Sequence, residues 1–398
     1  MVGIINIQKK ESCCGCTACA SICPESCITM SPDQEGFLYP KVDESLCVQC
    51  GQCEKICPSL SGFVSHPIQA AYAVRHKADV VLTESTSGGA FTAFAEEVLA
   101  QGGVVFGVGF TDNFKIAHME AQDNSTELST FRGSKYIQSF LGNTFSRVQK
   151  HLLADRSVLF SGTPCQIYGL RNYLGRDWPN LLTVEVICHG TPSPILWDEY
   201  LEHQINRYRA RPKSISFRKK TYGYHSGTME IVFDNGRKYT GSARVDYMLK
   251  SFFSEISSRP ACYSCICKGM ERPADLSIFD CWNAGSLVPG LQDDDRGYTN
   301  VLVNTAAGAN AFDRARLRLE YHPVNAERAI ALDGVMVCNY PKKHPDRKKY
   351  YNSLCENGLE KTISELIPVT KTDYLIEKSK VLFHRLGLMR ILRKLKKR

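Results

Sequence analysis

Ten of the 18 cysteines lie between Cys13 and Cys57, eight of them in two runs of one design: Cys13-x2-Cys16-x2-Cys19-x3-Cys23-Pro24 and Cys47-x2-Cys50-x2-Cys53-x3-Cys57-Pro58. Small size does not explain them. A chain of 398 residues, 43% hydrophobic and 23% charged, is long enough for two or three domains that each bury a core. The N-terminal stretch from Met1 to Glu11 lacks the basic-then-apolar pattern of a signal peptide, and nowhere do 18 apolar residues run together, so the expected compartment is the cytoplasm. Disulfides are disfavoured there, which leaves metal binding or redox chemistry as the reason for so many thiols.

The C-x2-C-x2-C-x3-C-P spacing is that of bacterial two-cluster ferredoxins, in which the fourth cysteine of each run crosses to the other cluster. The expected ligand sets are Cys13, Cys16, Cys19 and Cys57 for one [4Fe-4S] cluster, and Cys47, Cys50, Cys53 and Cys23 for the second. Three thiolates two residues apart converge from one short loop, and Gly15 and Gly51 permit the close backbone approach that amide-to-sulfur hydrogen bonds require. The proline after each fourth cysteine is expected to stop local structure and turn the chain away. The alternative is a pair of zinc sites, which normally draw on separated C-x2-C pairs. Cys14 and Cys27 are left over and are expected to pack as small buried side chains.

After a linker, "SLSGFVSHPIQ", strands and helices alternate. "AAYAVRH" reads as a strand. "TSGGAFTAFAEEVLAQGG" opens an amphipathic helix at Ser87, Gly88 and Gly89, either a plain cap or amides presented to a phosphate. "SVLFSGTPCQIYGL" is a strand, a turn and a helix beginning at Thr163-Pro164, which places Cys165 at a helix N-terminus where thiolate is favoured. "LLTVEVICHG" ends a strand at Cys188 and His189, and "ACYSCICKG" supplies Cys262, Cys265 and Cys267. Cys165, Cys188, Cys262 and Cys265 together suit a third cluster, with zinc or plain packing as the alternatives, because spacing does not reveal long-range grouping.

Net charge is +8, and seven of the charges lie between Arg385 and Arg398, leaving the body near neutrality and no case for nucleic-acid binding. "LGLMRILRKLKKR" sets Leu388, Ile391, Leu392 and Leu395 on one helical face against Arg390, Arg393, Lys394 and Lys397. Such a helix suits peripheral contact with an anionic membrane, or packing on the body or on a partner protein.

As a set, "TSGGAFTAF", "FRGSKYIQS", "VLFSGTPCQIYGL", "VEVICHGTPSPILWDEYL", "CYSCICKG" and "ADLSIFDCW" resemble the family of coenzyme F420 hydrogenase/dehydrogenase beta subunits, over residues 70 to 332 approximately. With the cysteine runs in front, the chain resembles the bacterial branch, often associated with surface-polysaccharide gene sets. The resemblance implies a small two-cluster ferredoxin domain followed by an α/β flavin-binding domain with a mixed sheet. The expected boundaries are 1–62 for the ferredoxin, 68–154 and 155–340 for the two parts of the flavin and iron-sulfur domain, and 341–398 for a helical basic tail.

It also implies a flavin, with FAD the expected form, that converts two-electron transfer into single-electron transfer through the clusters. The matching candidates for flavin contact are Ser87, Gly88, Gly89, Lys135 and Thr163, with a solvated surface lysine as the alternative for Lys135. At "FDCWN" the chain departs from the family's usual pattern, with Cys281 and Asn283 in place of an aromatic and a glycine, so an archaeal-type substrate pocket is not assumed. The expected function is therefore an iron-sulfur flavoprotein oxidoreductase served by a redox partner protein or a small hydride donor or acceptor. The alternatives are an electron-transfer subunit, one that feeds a partner enzyme, and a zinc-stabilised binding module fused to a ferredoxin.

Overall fold

The computed structural model describes residues 9–62, 64–122 and 126–388. Its strands, in chain order, begin with the hairpin β1 (Ile28–Pro32) and β2 (Leu38–Val42), then β3 (Ala70–His76), β4 (Val104–Phe110) and β5 (Ile116–Ala121). β6 (Val158–Gly162) and β7 (Leu181–Val186) follow, then β8 (Pro212–Lys219), β9 (Thr228–Phe233) and β10 (Lys238–Gly241). The last three are β11 (Leu276–Cys281), β12 (Tyr298–Val303) and β13 (Leu319–Pro323). The chain divides into two compact units built from interrupted segments, the first from residues 1–132, 137–191 and 259–341, the second from 133–136, 192–258 and 342–398. These cut across the boundaries expected from sequence, because the second unit's strands and two of its helices are inserted between β7 and β11, while its other two helices follow β13.

The first unit is an eight-stranded mixed sheet, in the order β13-β3-β12-β11-β7-β6-β4-β5, together with the cysteine-rich segment. β4, β6, β7 and β11 run parallel, while β12 and β5 pair antiparallel to their neighbours. β6 is buried along its whole length, as a parallel strand covered on both faces should be. The helices Ala90–Ala100 and Ala306–Ala315 pack Phe94 and Phe312 into one face, and Pro164–Leu174 packs Ile167 and Leu170 into another cluster with Phe160.

In the cysteine-rich segment, β1 pairs antiparallel with β2 over Cys19, Cys27 and Ile28. The two runs repeat one backbone plan: the residues on either side of the second cysteine, Gly15 and Thr17 in one and Gln49 and Gly51 in the other, all have positive φ. Each loop thus places one glycine and one non-glycine in the left-handed region, and the non-glycine accepts a strain that the loop's closure must offset. Pro58 corrects one expectation. It occupies the first turn of the short helix Pro58–Ser61, opening local structure instead of stopping it, because a first-turn proline gives up no intrahelical hydrogen bond.

The second unit holds the antiparallel sheet β10-β9-β8 and the helices Pro194–Tyr208, Tyr247–Phe253, Arg347–Leu366 and Lys371–Arg385. Its buried polar centre is Asp246, which accepts from the Leu249 amide at 2.8 Å and from the Tyr200 hydroxyl at 2.6 Å. The first of these bonds caps Tyr247–Phe253. Of the two helical faces expected at the C-terminus, all but Leu388 of the apolar one lies outside the described residues. Among the described residues no helix is long and apolar enough to cross a membrane.

Candidate iron-sulfur centres

Each expected ligand set lines its own concavity. Cys13, Cys16, Cys19 and Cys57 surround one of about 340 Å³. Cys23, Cys47, Cys50 and Cys53 surround another of about 360 Å³. The fourth cysteine of each run thus stands with the first three of the other run. The two differ in setting: Cys16 and Cys19 are buried, whereas Cys50 is exposed. Cys27 is buried with its Sγ 3.3 Å from that of Cys23, and its thiol is pushed up to about 12, chiefly by donating to Cys23.

A third concavity, of about 860 Å³, is lined by Cys165, Cys188, Cys262 and Cys265 and also by Cys14, Cys267 and Lys268. The topology explains the convergence. β6 and β7 are adjacent and parallel, so Cys165 and Cys188, which follow their carboxyl ends, emerge side by side at the edge where such sheets build sites. Cys262 lies in the single turn Pro260–Ser264, and Cys265 caps it.

The surroundings shift the four thiols in opposite directions, Cys265 toward thiolate and Cys165, Cys188 and Cys262 toward the neutral thiol. Gly190 N–H reaches Cys188 Sγ at 3.3 Å. The Cys267 thiol donates to Cys265, and this hydrogen bond is the first cause that brings Cys265 down to about 6. Burial pushes Cys188 up to about 11 and Cys262 well up. The Lys268 ammonium, near Cys188 and Cys265, is fixed by the carbonyls of Cys188 (2.7 Å) and Met336 (2.5 Å). Below the loop, the buried Glu185–Arg272 pair, 2.6 Å apart, ties the segment down, with Arg272 Nη1 donating to the carbonyls of Cys267 and Gly269.

A line of polar groups backs the Thr163 side. Gln166 completes a capping box with Thr163. It also donates to the Ser139 hydroxyl at 3.0 Å, which in turn lies 3.0 Å from His118 Nδ1. His118 Nε2 is 3.1 Å from the Ser161 carbonyl, so that nitrogen carries the proton. Burial lowers the imidazole to about 4 and keeps it neutral.

Cys14 is more than a packing residue. Cys14, Gly15 and Ser59 line both concavities. Sequence reasoning missed this role, and its one signal was the doubling of Cys13 and Cys14.

The flavin candidates scatter. Thr163 lines the large concavity. Ser87 and Gly88 sit against β12 instead: the Ser87 hydroxyl lies 2.8 Å from Thr299 Oγ1, and the Gly88 amide donates to the same oxygen at 2.8 Å. Gly88 has no room for a side chain against Val74 O and Thr299, and Gly89 caps Ala90–Ala100 at φ +81. Lys135 belongs to the second unit, half-buried, with its ammonium lowered to about 7 by burial and 3.2 Å from the Gly133 carbonyl. In the departure at "FDCWN", Asn283 donates to Asp333 at 2.7 Å, and burial raises the Cys281 thiol.

Residues 155–327 match the family described as the C terminus of the coenzyme F420 hydrogenase/dehydrogenase beta subunit, and residues 12–60 match the 4Fe-4S dicluster domain. Those residues belong to these two families. The chain joins the two in one polypeptide. It is 22% identical over 334 residues to the F subunit of F420H2 dehydrogenase from Methanosarcina mazei, covering 80% of this chain and 86% of that one. It is 25% identical over 357 residues to the coenzyme F420-dependent sulfite reductase of Methanocaldococcus jannaschii, covering 87% of this chain and 52% of the relative. Both relatives are named as oxidoreductases. Among solved structures, a chain of the F420-reducing [NiFe] hydrogenase complex from Methanosarcina barkeri aligns with a TM-score of 0.48 and 17% identity, over 73% of this chain and 94% of that one.

Proposed function

We propose that the chain is an electron-transfer oxidoreductase in which three [4Fe-4S] clusters form a relay. The observation that carries this reading is the segregation of twelve cysteines into three concavities: Cys13, Cys16, Cys19 and Cys57; Cys23, Cys47, Cys50 and Cys53; and Cys165, Cys188, Cys262 and Cys265. A [4Fe-4S] cluster, when bound, supplies one-electron carriage. The donor sets suit it, being all-thiol, with an amide turned toward sulfur at Cys188 and left-handed positions in the two N-terminal loops that let the backbone close in. Cys14 lines both the large concavity and that of the first ligand set, and the exposed Cys50 marks the end open to a redox partner protein.

A flavin is the finer part of the proposal. A hydride donor surrenders two electrons together and a cluster takes one, so a converter is required at or beside the large concavity. Its support is the relationship to proteins named for coenzyme F420 and the position of Thr163. Ser87 and Gly88 add little, since the Gly88 amide and the Ser87 hydroxyl both bond to Thr299. A link to surface polysaccharides rests on the family resemblance alone.

The test is anaerobic purification with iron, sulfide, zinc and flavin measured on one sample. About twelve irons per chain support three clusters of four irons. About eight would leave the large concavity to another role. Zinc there would replace the relay with a binding module, and one flavin per chain would support the converter.

A further inference from the structure

We infer that Arg259 sets the reduction potential of the cluster held by Cys13, Cys16, Cys19 and Cys57, by holding a permanent positive charge against the Cys13 thiolate. This rests on the reading that the cluster binds there.

Arg259 is fully buried. Its Nε donates to the Cys13 carbonyl at 2.7 Å, its Nη2 to Leu38 O at 2.9 Å and toward Cys13 Sγ at 3.5 Å, and its Nη1 to Gln138 Oε1 at 3.1 Å. The guanidinium lies 4.2 Å from the centre of the Tyr39 ring. Each nitrogen of the fork is therefore engaged, yet among the described residues no carboxylate pairs with it. A buried guanidinium cannot shed its proton, and a buried charge left without a counter-charge is strongly destabilising. The group within reach that becomes anionic when iron binds is the Cys13 sulfur, because the thiolate is the metal ligand.

The consequence follows from the setting. Reduction of a cluster adds one electron with no bond formed or broken, which makes the site more negative by one charge. Where the ligands are buried, as Cys16 and Cys19 are, that added charge lacks solvent to stabilise it, whereas the second set is partly served by water at Cys50. A fixed cation and a hydrogen bond to a ligand sulfur both favour the reduced state. Arg259 thus supplies what burial withholds and keeps the first cluster able to accept an electron between the large concavity and the exposed cluster. Gly15 preserves the geometry: a Cβ there would meet Arg259 Nη1 at 2.9 Å and Gln138 Nε2 at 2.5 Å.

The experiment is an anaerobic dithionite titration of the full-length holoprotein followed by EPR, with iron and sulfide measured on each sample. The first cluster's couple is identified as the one lost in Cys16→Ala. Arg259→Gln is expected to weaken that cluster's electron affinity at least tenfold, ~59 mV for a one-electron couple, and to leave the second cluster's couple in place. Gln138→Glu, nearly the same shape, places a carboxylate on the guanidinium and should lower the same couple; it decides the matter alone if Arg259→Gln does not assemble. Arg259→Lys keeps the charge and should fall between the wild type and Arg259→Gln. Wild-type iron content with an unmoved first couple in Arg259→Gln or Gln138→Glu, or with both couples moved equally, would overturn the inference, as would an Arg259→Lys couple as low as that of Arg259→Gln. An iron-free wild-type chain would instead overturn the cluster reading on which it rests.

Discussion

Gly169 lies against Cys16 so closely that a Cβ on the glycine would stand 2.8 Å from Cys16 Cβ and 3.0 Å from its Sγ. The helix Pro164–Leu174 thus carries Cys165 at one end and, one turn on, a bare patch on which the first cysteine loop rests. Asn172 holds the same docking further along, donating to the carbonyls of Ile56 and Gly62.

Alanine at an interior helix position normally stabilises by up to about 1 kcal/mol over glycine. Here the close approach should outweigh that gain, so Gly169→Ala is expected to destabilise by about 1–3 kcal/mol and to lower the iron content of the first set. Anaerobic denaturant unfolding with iron analysis checks it, and a more stable variant with full iron would contradict the packing argument.

Cys262→Ser should lower iron from about twelve to about eight per chain and leave the two N-terminal clusters' EPR signals intact. Loss of signal from the N-terminal clusters, with the third retained, would mean that the four long-range cysteines do not act together.

Arg272 and Glu185 are both buried, and Glu185 also accepts from Ser277 at 2.5 Å. Arg272→Met leaves that carboxylate without its cation and should cost about 3–5 kcal/mol, while Arg272→Met combined with Glu185→Leu should recover most of the loss, because a buried pair replaced by apolar groups is close to neutral. Unfolding curves of the single and double variants measure both values.

His118 gives the first unit an acid-sensitive contribution. Its folded value of about 4 lies below the ordinary histidine value of 6.5, so the unfolded chain binds the proton more readily. The stability it contributes is present in full above pH ~6.5 and is lost as pH falls toward ~4, by roughly 3 kcal/mol in all. His118→Gln should flatten this window relative to wild type in unfolding measurements at pH ~7.5 and ~5, and parallel slopes would show that the imidazole is not buried neutral.

Much of the secondary structure was readable. β3 coincides with "AAYAVRH", and the helix at Pro164 starts where proline and a threonine cap say it should. Local chemistry specifies these elements: β-branched and aromatic residues for the strand, a capping box for the helix. The flavin candidates at Ser87, Gly88 and Gly89 show the limit of such reading, because a glycine turn before a helix looks the same whether it cradles a phosphate or packs against Thr299.

How the N-terminal cysteines group can be read along the chain, since cysteines two and three residues apart can converge only through the loop they share, and the fourth cysteine of each run marks the crossover. The third group and its surroundings depend on the fold. Cys165 and Cys188 meet because β6 and β7 lie side by side in parallel, and Cys262 and Cys265 reach them only after the chain returns from the second unit's insertion. Arg259 stands 246 positions from the thiol it faces. No periodicity records a contact of that range; it exists because burying the sheet's carboxyl edge and the cysteine loops together brings that charge and that sulfur into one place.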